Sequence, residues 1–254
     1  MIRVIDLWKK YGENEVLKGL NLEVHDGEIL VILGRSGVGK SVLLRQIIGI
    51  ERPDQGLIEV HGVPVSHLGR NELQKSVKKM GMLFQGAALF DSMTIYENIA
   101  FALRQHGNPD TRKRYPESEV RQRVLEALQM VGLEGVENKM PSDMSGGMRK
   151  RAGLARLIVY RPSILLYDEP TTGLDPITAK QITDLIVKTQ EQLKGTSIVV
   201  THDMRSAYYM ADRLALHQDG KITHVAEPDA FFKYDDPMIQ YLKESMSAGG
   251  RKTA

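Results

Sequence analysis

Eight residues, Gly34-Arg35-Ser36-Gly37-Val38-Gly39-Lys40-Ser41, stand between an unbroken apolar run, Ile29 to Leu33, and a segment of helical spacing that opens at Lys40. An apolar run of that length ending in glycine reads as a buried strand, so the octet is a strand-to-helix turn. Its glycines let successive backbone N–H groups converge on one centre, and the start of the helix adds positive potential. In such a turn the lysine reaches phosphate oxygens and the serine hydroxyl ligates magnesium. Gly34, Arg35, Ser36, Gly37, Val38, Gly39, Lys40, Ser41 and Val42 are therefore the candidate nucleotide-phosphate residues.

The rest of the chain fits an α/β fold. Strands are expected at Ile2 to Leu7, Gly19 to Val24, Ile29 to Leu33, Leu57 to Val60, Met80 to Phe84, Ile164 to Tyr167 and Ser197 to Thr201. Helical spacing covers Lys40 to Ile50, Glu119 to Val131, Gly147 to Tyr160 and Thr178 to Leu193. Alternating strands and helices predict a mostly parallel sheet covered by helices, with the earliest strands forming a separate antiparallel portion. From about 90 to 161 helices dominate, which reads as a helical subdomain inserted into the core. Residues 1–246 are expected to form one such domain, and 247–254, small and polar, a flexible tail.

Two further strand ends carry chemistry. Ile164 to Tyr167 runs into Asp168 and Glu169, where strand ends meet the ligand crevice of open α/β sheets. Asp168 there suits a magnesium shell, and Glu169 the orientation or deprotonation of an attacking water. The run Ile198 to Val200 leads to His202, placed to touch a γ-phosphate or to serve as an ordinary strand-end histidine. Between the two phosphate-related sites, Met144-Ser145-Gly146-Gly147-Met148 opens a helix. Ser145 is a natural N-cap, but Met148 cannot close a capping box, and two glycines in the first turn cost about 1 kcal/mol each. A helix start left open in this way suits an anion. The following Arg149, Lys150 and Arg151 read equally as a solvated basic face or as cations with anions nearby.

Composition removes several classes. The chain has 34 basic and 32 acidic residues, too even a balance to argue for nucleic-acid binding. It has no cysteine, which excludes a disulfide scaffold or a thiolate metal site. Met1 to Tyr11 lacks the layout of a signal peptide, and the longest strongly apolar run, Ile29 to Leu33, is far short of the roughly 20 residues of a spanning helix.

In order and spacing, the phosphate loop, Gln85, Ser145-Gly146-Gly147, Asp168-Glu169, Gly173-Leu174-Asp175 and His202 resemble the ABC transporter ATPase family across nearly the whole chain. The resemblance implies a P-loop ATPase core with an inserted helical subdomain, working on ATP and Mg2+. It implies adenine stacking by Tyr11, which otherwise reads as an aromatic strand end, and sensing of magnesium and the lytic water by Gln85. Glu169, His202 and Gln85 become the expected catalytic set, and Ser41, Gln85 and Asp168 the expected metal set. Ser145, Gly146 and Gly147 would bind ATP held by a second protomer, with Asp175 coupling the two sites. One copy of each motif means that the dimer needs a second chain. Met148 departs from the glutamine usual after the two glycines, which puts that side chain's contact in doubt.

That departure, with Met82 to Phe90 and Gly173-Leu174-Asp175-Pro176-Ile177-Thr178, narrows the resemblance to the MlaF-type subfamily, which energises phospholipid transport between bacterial membranes. The subfamily implies a transmembrane permease partner, an MCE-domain lipid-binding protein and, as a further candidate, a STAS-domain protein. It places the chain at the cytoplasmic face of the inner membrane, peripheral through the permease. Leu89, Phe90, Met93 and Ile95 would then meet the permease, or else fill the subdomain core. Three rivals stand: an importer ATPase for a polar solute, a soluble ABC protein, and a P-loop kinase. The last would have no use for Ser145-Gly146-Gly147.

Overall fold

The computed structural model describes residues 1–108 and 113–248. The expected tail beyond 248, and part of the polar stretch from His106 to Pro116, lie outside the described residues. The elements begin with β1 (Ile2–Tyr11), β2 (Asn14–Val24), β3 (Ile29–Leu33), α1 (Lys40–Ile47), β4 (Gln55–Val60), β5 (Val63–Pro64) and α2 (Arg70–Ser76). They continue with β6 (Met80–Leu83), α3 (Ile95–His106), α4 (Glu117–Met130), α5 (Gly146–Ile158), β7 (Ile164–Asp168) and α6 (Pro176–Leu193). The last are β8 (Thr196–Thr201), α7 (Met204–Met210), β9 (Arg213–Gln218), β10 (Lys221–Ala226), α8 (Pro228–Phe231) and α9 (Pro237–Ala248).

The chain divides into two units, one of residues 1–77 and 194–254, the other of 78–193. In the first unit β1 pairs antiparallel with β2 and β4, giving the separate antiparallel portion expected from sequence. Its strands alternate: Ile2, Val4 and Leu7 are buried while Arg3 and Asp6 are exposed, the pattern of a sheet with one face in a core. The other sheet segment of this unit is parallel where β3 meets β8 and β9, and antiparallel at β10. All five residues of β3 and all six of β8 are buried, which is why β3 reads as an unbroken apolar run and β8 as an apolar centre, Ile198 to Val200, rather than as alternations. Helix α1 stops at Ile47, three residues short of expectation. Gly49 takes φ +78, and Ile50 N–H returns to the Arg45 carbonyl, a left-handed glycine termination.

In the second unit β6 and β7 are parallel neighbours, with Leu83 opposite Tyr167. Helices α3, α4 and α5 lie within the stretch expected to be helical. Thr94 caps α3 in a reciprocal box with Glu97. The turn leading into that helix is tied by one fully buried amide, Asn98. Its Oδ1 accepts from Phe90 N–H at 2.7 Å, and its Nδ2 faces the carbonyls of Phe90, Met93 and Thr94 at 3.0–3.1 Å. Replacing Asn98 by Ala strands these groups and should cost about 2–3 kcal/mol, read as a lowered denaturation midpoint. The apolar stretch beside it divides between its two readings: Ile95 is fully buried, whereas Phe90 is 41% exposed.

Candidate functional site

The phosphate loop belongs to the first unit. Gly37 (φ +83) and Gly39 (φ +105) occupy backbone conformations that side chains resist, and these turn the N–H groups at the head of α1. Gly34 is required for a different reason: a Cβ there would stand 2.5 Å from the His217 carbonyl of β9. Lys40 is buried, and its Nζ donates to the carbonyls of Gly34 (2.8 Å) and Arg35 (2.9 Å), folding the side chain under its own loop. Arg35, Ser36 and Gly37 are exposed at the crest, Val38 and Ser41 are half-buried, and Val42 packs inward.

His202 is brought to the same end of the sheet. Leu33, the last residue before the loop, pairs with Thr201 in the parallel β3–β8 ladder, so Gly34 and His202 are the next residues on adjacent strands. His202 is exposed, and Asp203 beside it caps α7 through Arg205 N–H and Ser206 N–H. Tyr11 ends β1 with 46% of its surface exposed, and its hydroxyl donates to Glu51. Partial burial and the Glu51 carboxylate push this phenol up to about 12. Glu51 also pairs with Arg45 of α1 at 3.1 Å, so Tyr11 is braced against the helix that follows the phosphate loop.

The second unit holds the acidic pair. Asp168 ends β7, and Glu169 follows with φ +47, an unusual left-handed backbone for a glutamate. Both are buried, and Thr172 Oγ1 donates to Glu169 Oε2 at 3.0 Å. Gln85, just beyond β6, is exposed. Ser145 caps α5, its Oγ accepting Met148 N–H at 3.3 Å, and both Ser145 and Gly146 face solvent at the head of the helix. Gly147 admits no side chain, since a Cβ would lie 2.6 Å from the Thr178 methyl. Asp175 Oδ1 accepts the N–H groups of Ile177 and Thr178 at 3.0 Å, capping α6. The Thr178 hydroxyl and N–H hold its carboxyl below the usual range.

The basic run after Ser145-Gly146-Gly147, the signature of the helix α5, splits into different environments. Arg149 turns back to the Met144 carbonyl, and Arg151 reaches Gln181. Lys150 is buried, donating to the Gln85 carbonyl and, at 3.3 Å, to the Glu169 carbonyl. Burial lowers its pKa against the opposing pull of Asp168 and Glu169. Sequence reasoning treated the three cations as one patch. The helical phase held the signal, because Lys150 lies four and seven residues before Leu154 and Leu157, on the apolar face. His217, Glu51 and Thr172 were not singled out, and no motif marks them.

Residues 17–172 match the family model described as ABC transporter. The intermembrane phospholipid transport system ATP-binding protein MlaF of Haemophilus influenzae is 40% identical over 244 residues, covering 96% of this chain and 90% of that one. A probable ribonucleotide transport ATP-binding protein, mkl, of Mycobacterium leprae is 39% identical over 98% of this chain and 70% of its own length. The methionine import ATP-binding protein MetN of Clostridium tetani is 40% identical over 96% of this chain and 75% of its own. Among solved structures, a dimeric post-hydrolysis state of the ATP-binding cassette MJ0796 bound to ADP and Pi superposes with a TM-score of 0.82. It is 32% identical and covers 90% of this chain and 99% of that chain. With a phosphate loop, a signature helix and an acidic strand end in family order, the chain belongs to the ABC transporter family, as an ATP-binding cassette that hydrolyses ATP.

Proposed function

We propose that this chain energises the movement of phospholipid between bacterial membranes, as the ATPase subunit of a transporter whose spanning segments lie on a separate permease. The observation that carries the reading is the similarity to the Haemophilus MlaF protein, which runs through nearly the full length of both chains. Among the described residues no helix is long and apolar enough to cross a membrane, which fits a subunit held at the cytoplasmic face of the inner membrane by its permease. An MCE-domain lipid-binding protein and a STAS-domain protein complete the proposed assembly, with no nucleic-acid partner.

The glycine turn from Gly34 to Gly39 wraps the phosphates with backbone N–H groups, Lys40 exchanges its two carbonyl bonds for phosphate oxygens, and Tyr11 offers its open ring to adenine. Glu169 takes the proton of the attacking water, Gln85 orients that water, and His202 contacts the γ-phosphate. Ser145 and Gly146, exposed at the head of α5, with Gly147, serve ATP held by a second copy of the chain, and Asp175 links the two sites. Ser41 Oγ, the Gln85 amide oxygen and the Asp168 carboxylate are hard oxygen donors of the kind magnesium takes. When bound, it neutralises phosphate charge.

MetN, equal to MlaF in identity, favours a second reading, an importer of a small polar solute. The two separate by what the cassette carries with it. Tagged protein purified from native membranes in mild detergent is expected to bring down a permease, an MCE-domain protein and phospholipid, identified by mass spectrometry. Recovery of a permease with a soluble binding protein would establish the importer instead.

A further inference from the structure

The middle of α5 grips the loop that follows β6. Gly153 packs so closely that a Cβ would stand 2.9 Å from Leu83 Cδ1 and 3.0 Å from Ala87 Cβ. Arg156 donates to the carbonyls of Ala87 (2.9 Å) and Ala88 (2.8 Å), two alanines held at φ +62 and φ +49. One turn nearer the signature, Lys150 donates to the Gln85 carbonyl on this loop and also to the Glu169 carbonyl after β7. Its ammonium is thus a single buried group touching the backbone of both a proposed water-orienting residue and the proposed base.

We propose that Lys150 is a positioning residue for hydrolysis, tying the backbones of Gln85 and Glu169 to the helix that begins at Ser145. The proposal rests on the assignment of Glu169 and Gln85 made above. A buried ammonium is costly unless its hydrogens are taken up, and a neutral side chain of similar volume would pack here without that cost. What the lysine adds is a fixed distance between two loops that both act on one water. Glu169 needs such a hold, because its left-handed backbone persists only where the surroundings over-determine it. The ammonium reaches backbone carbonyls, so it acts through the two loops rather than on the nucleotide.

The purified full-length chain carrying Lys150→Met, Lys150→Gln or Lys150→Arg tests this by ATP turnover, with the melting temperature followed in parallel. A second readout uses the absence of cysteine. Gly86 is exposed and a Cβ there meets nothing within 4 Å, so Gly86→Cys reports loop mobility through its thiol-labelling rate. Lys150→Met should lower kcat about tenfold while KM for ATP stays at the wild-type value, and labelling should quicken. Lys150→Arg, which keeps the donors, should recover turnover and slow labelling. Wild-type kcat in Lys150→Met, or loss of kcat with no recovery in Lys150→Arg, overturns the proposal. If Lys150→Met does not fold, the Gln and Arg variants decide, and turnover that follows melting temperature rather than labelling rate overturns it. Glu169→Gln assayed alongside separates the two levels. Retained turnover there removes the parent assignment, whereas arrest there with normal Lys150→Met removes the lysine proposal by itself.

Discussion

Glu169→Gln should arrest hydrolysis, by a factor of at least about 100, while ATP binding survives. Glutamine keeps the volume and planar end of glutamate, and its amide oxygen still accepts from Thr172 Oγ1. The Lys150 contact is to the backbone and is untouched by the change. The left-handed turn at residue 169 is therefore retained, and what is lost is the basicity that takes a proton from water. Phosphate release in a single-turnover assay with labelled ATP measures the loss, and ATP-dependent association on a sizing column reads retained binding. A variant that hydrolyses at the wild-type rate would move the base to another residue.

Acid should weaken the fold through His217, the second large effect expected. This side chain is 1% exposed, and among the described residues neither ring nitrogen has a hydrogen-bond partner. Burial, reinforced by the nearby Lys40 charge, holds its pKa down to about 4, against an ordinary value of 6.5. Between those values the unfolded chain takes up a proton that the folded chain refuses, so stability falls as pH drops from 6.5 toward 4 and is unaffected above 6.5. The full gap corresponds to about 3 kcal/mol. In urea melts at pH 7 and pH 4.5, His217→Leu should reduce the acid-induced loss by about 2–3 kcal/mol relative to the natural chain. Equal losses in both would show that the ring is protonated without penalty. The site of the weakness matters for function, because the His217 carbonyl packs against Gly34 at the start of the phosphate loop.

The parts legible in sequence were those where one physical requirement selects residue types without help from distant neighbours. The strands β3, β7 and β8 are buried along their whole length, so each carries an apolar run, Ile29 to Leu33, Ile164 to Tyr167 and Ile198 to Val200, with polar residues only at strand ends. The phosphate loop needs glycine at positive φ, and Gly37 and Gly39 are there. What sequence hid depends on tertiary partners. Strands β9 and β10 were not expected, since one carries a buried histidine and the other, at the antiparallel end, is mostly half-exposed. The pairing of β1 with β2 extends to Tyr11 and Asn14, through polar residues that carry no strand signal of their own. Lys150 reads in sequence as one of three cations, solvated or near anions, because adjacent residues on a helix point in different directions and a charge run does not say which one faces inward.

The amide of Asn98 has a consequence in the currency of genetic damage. A single-base change at an asparagine codon, or slow hydrolysis of the side-chain amide, yields aspartate, almost unchanged in size. At most asparagines that is a mild event; at position 98 burial shields the amide from hydrolysis, so the change arrives by mutation. Here the nitrogen facing three backbone carbonyls at 3.0–3.1 Å would become an oxygen with no hydrogen to give. The result is repulsion or an uptake of protons in a site closed to water. The backbone at Phe90, Met93 and Thr94 thus relies on one nitrogen atom, and Asn98→Asp should lower the denaturation midpoint at pH 7 at least as far as Asn98→Ala.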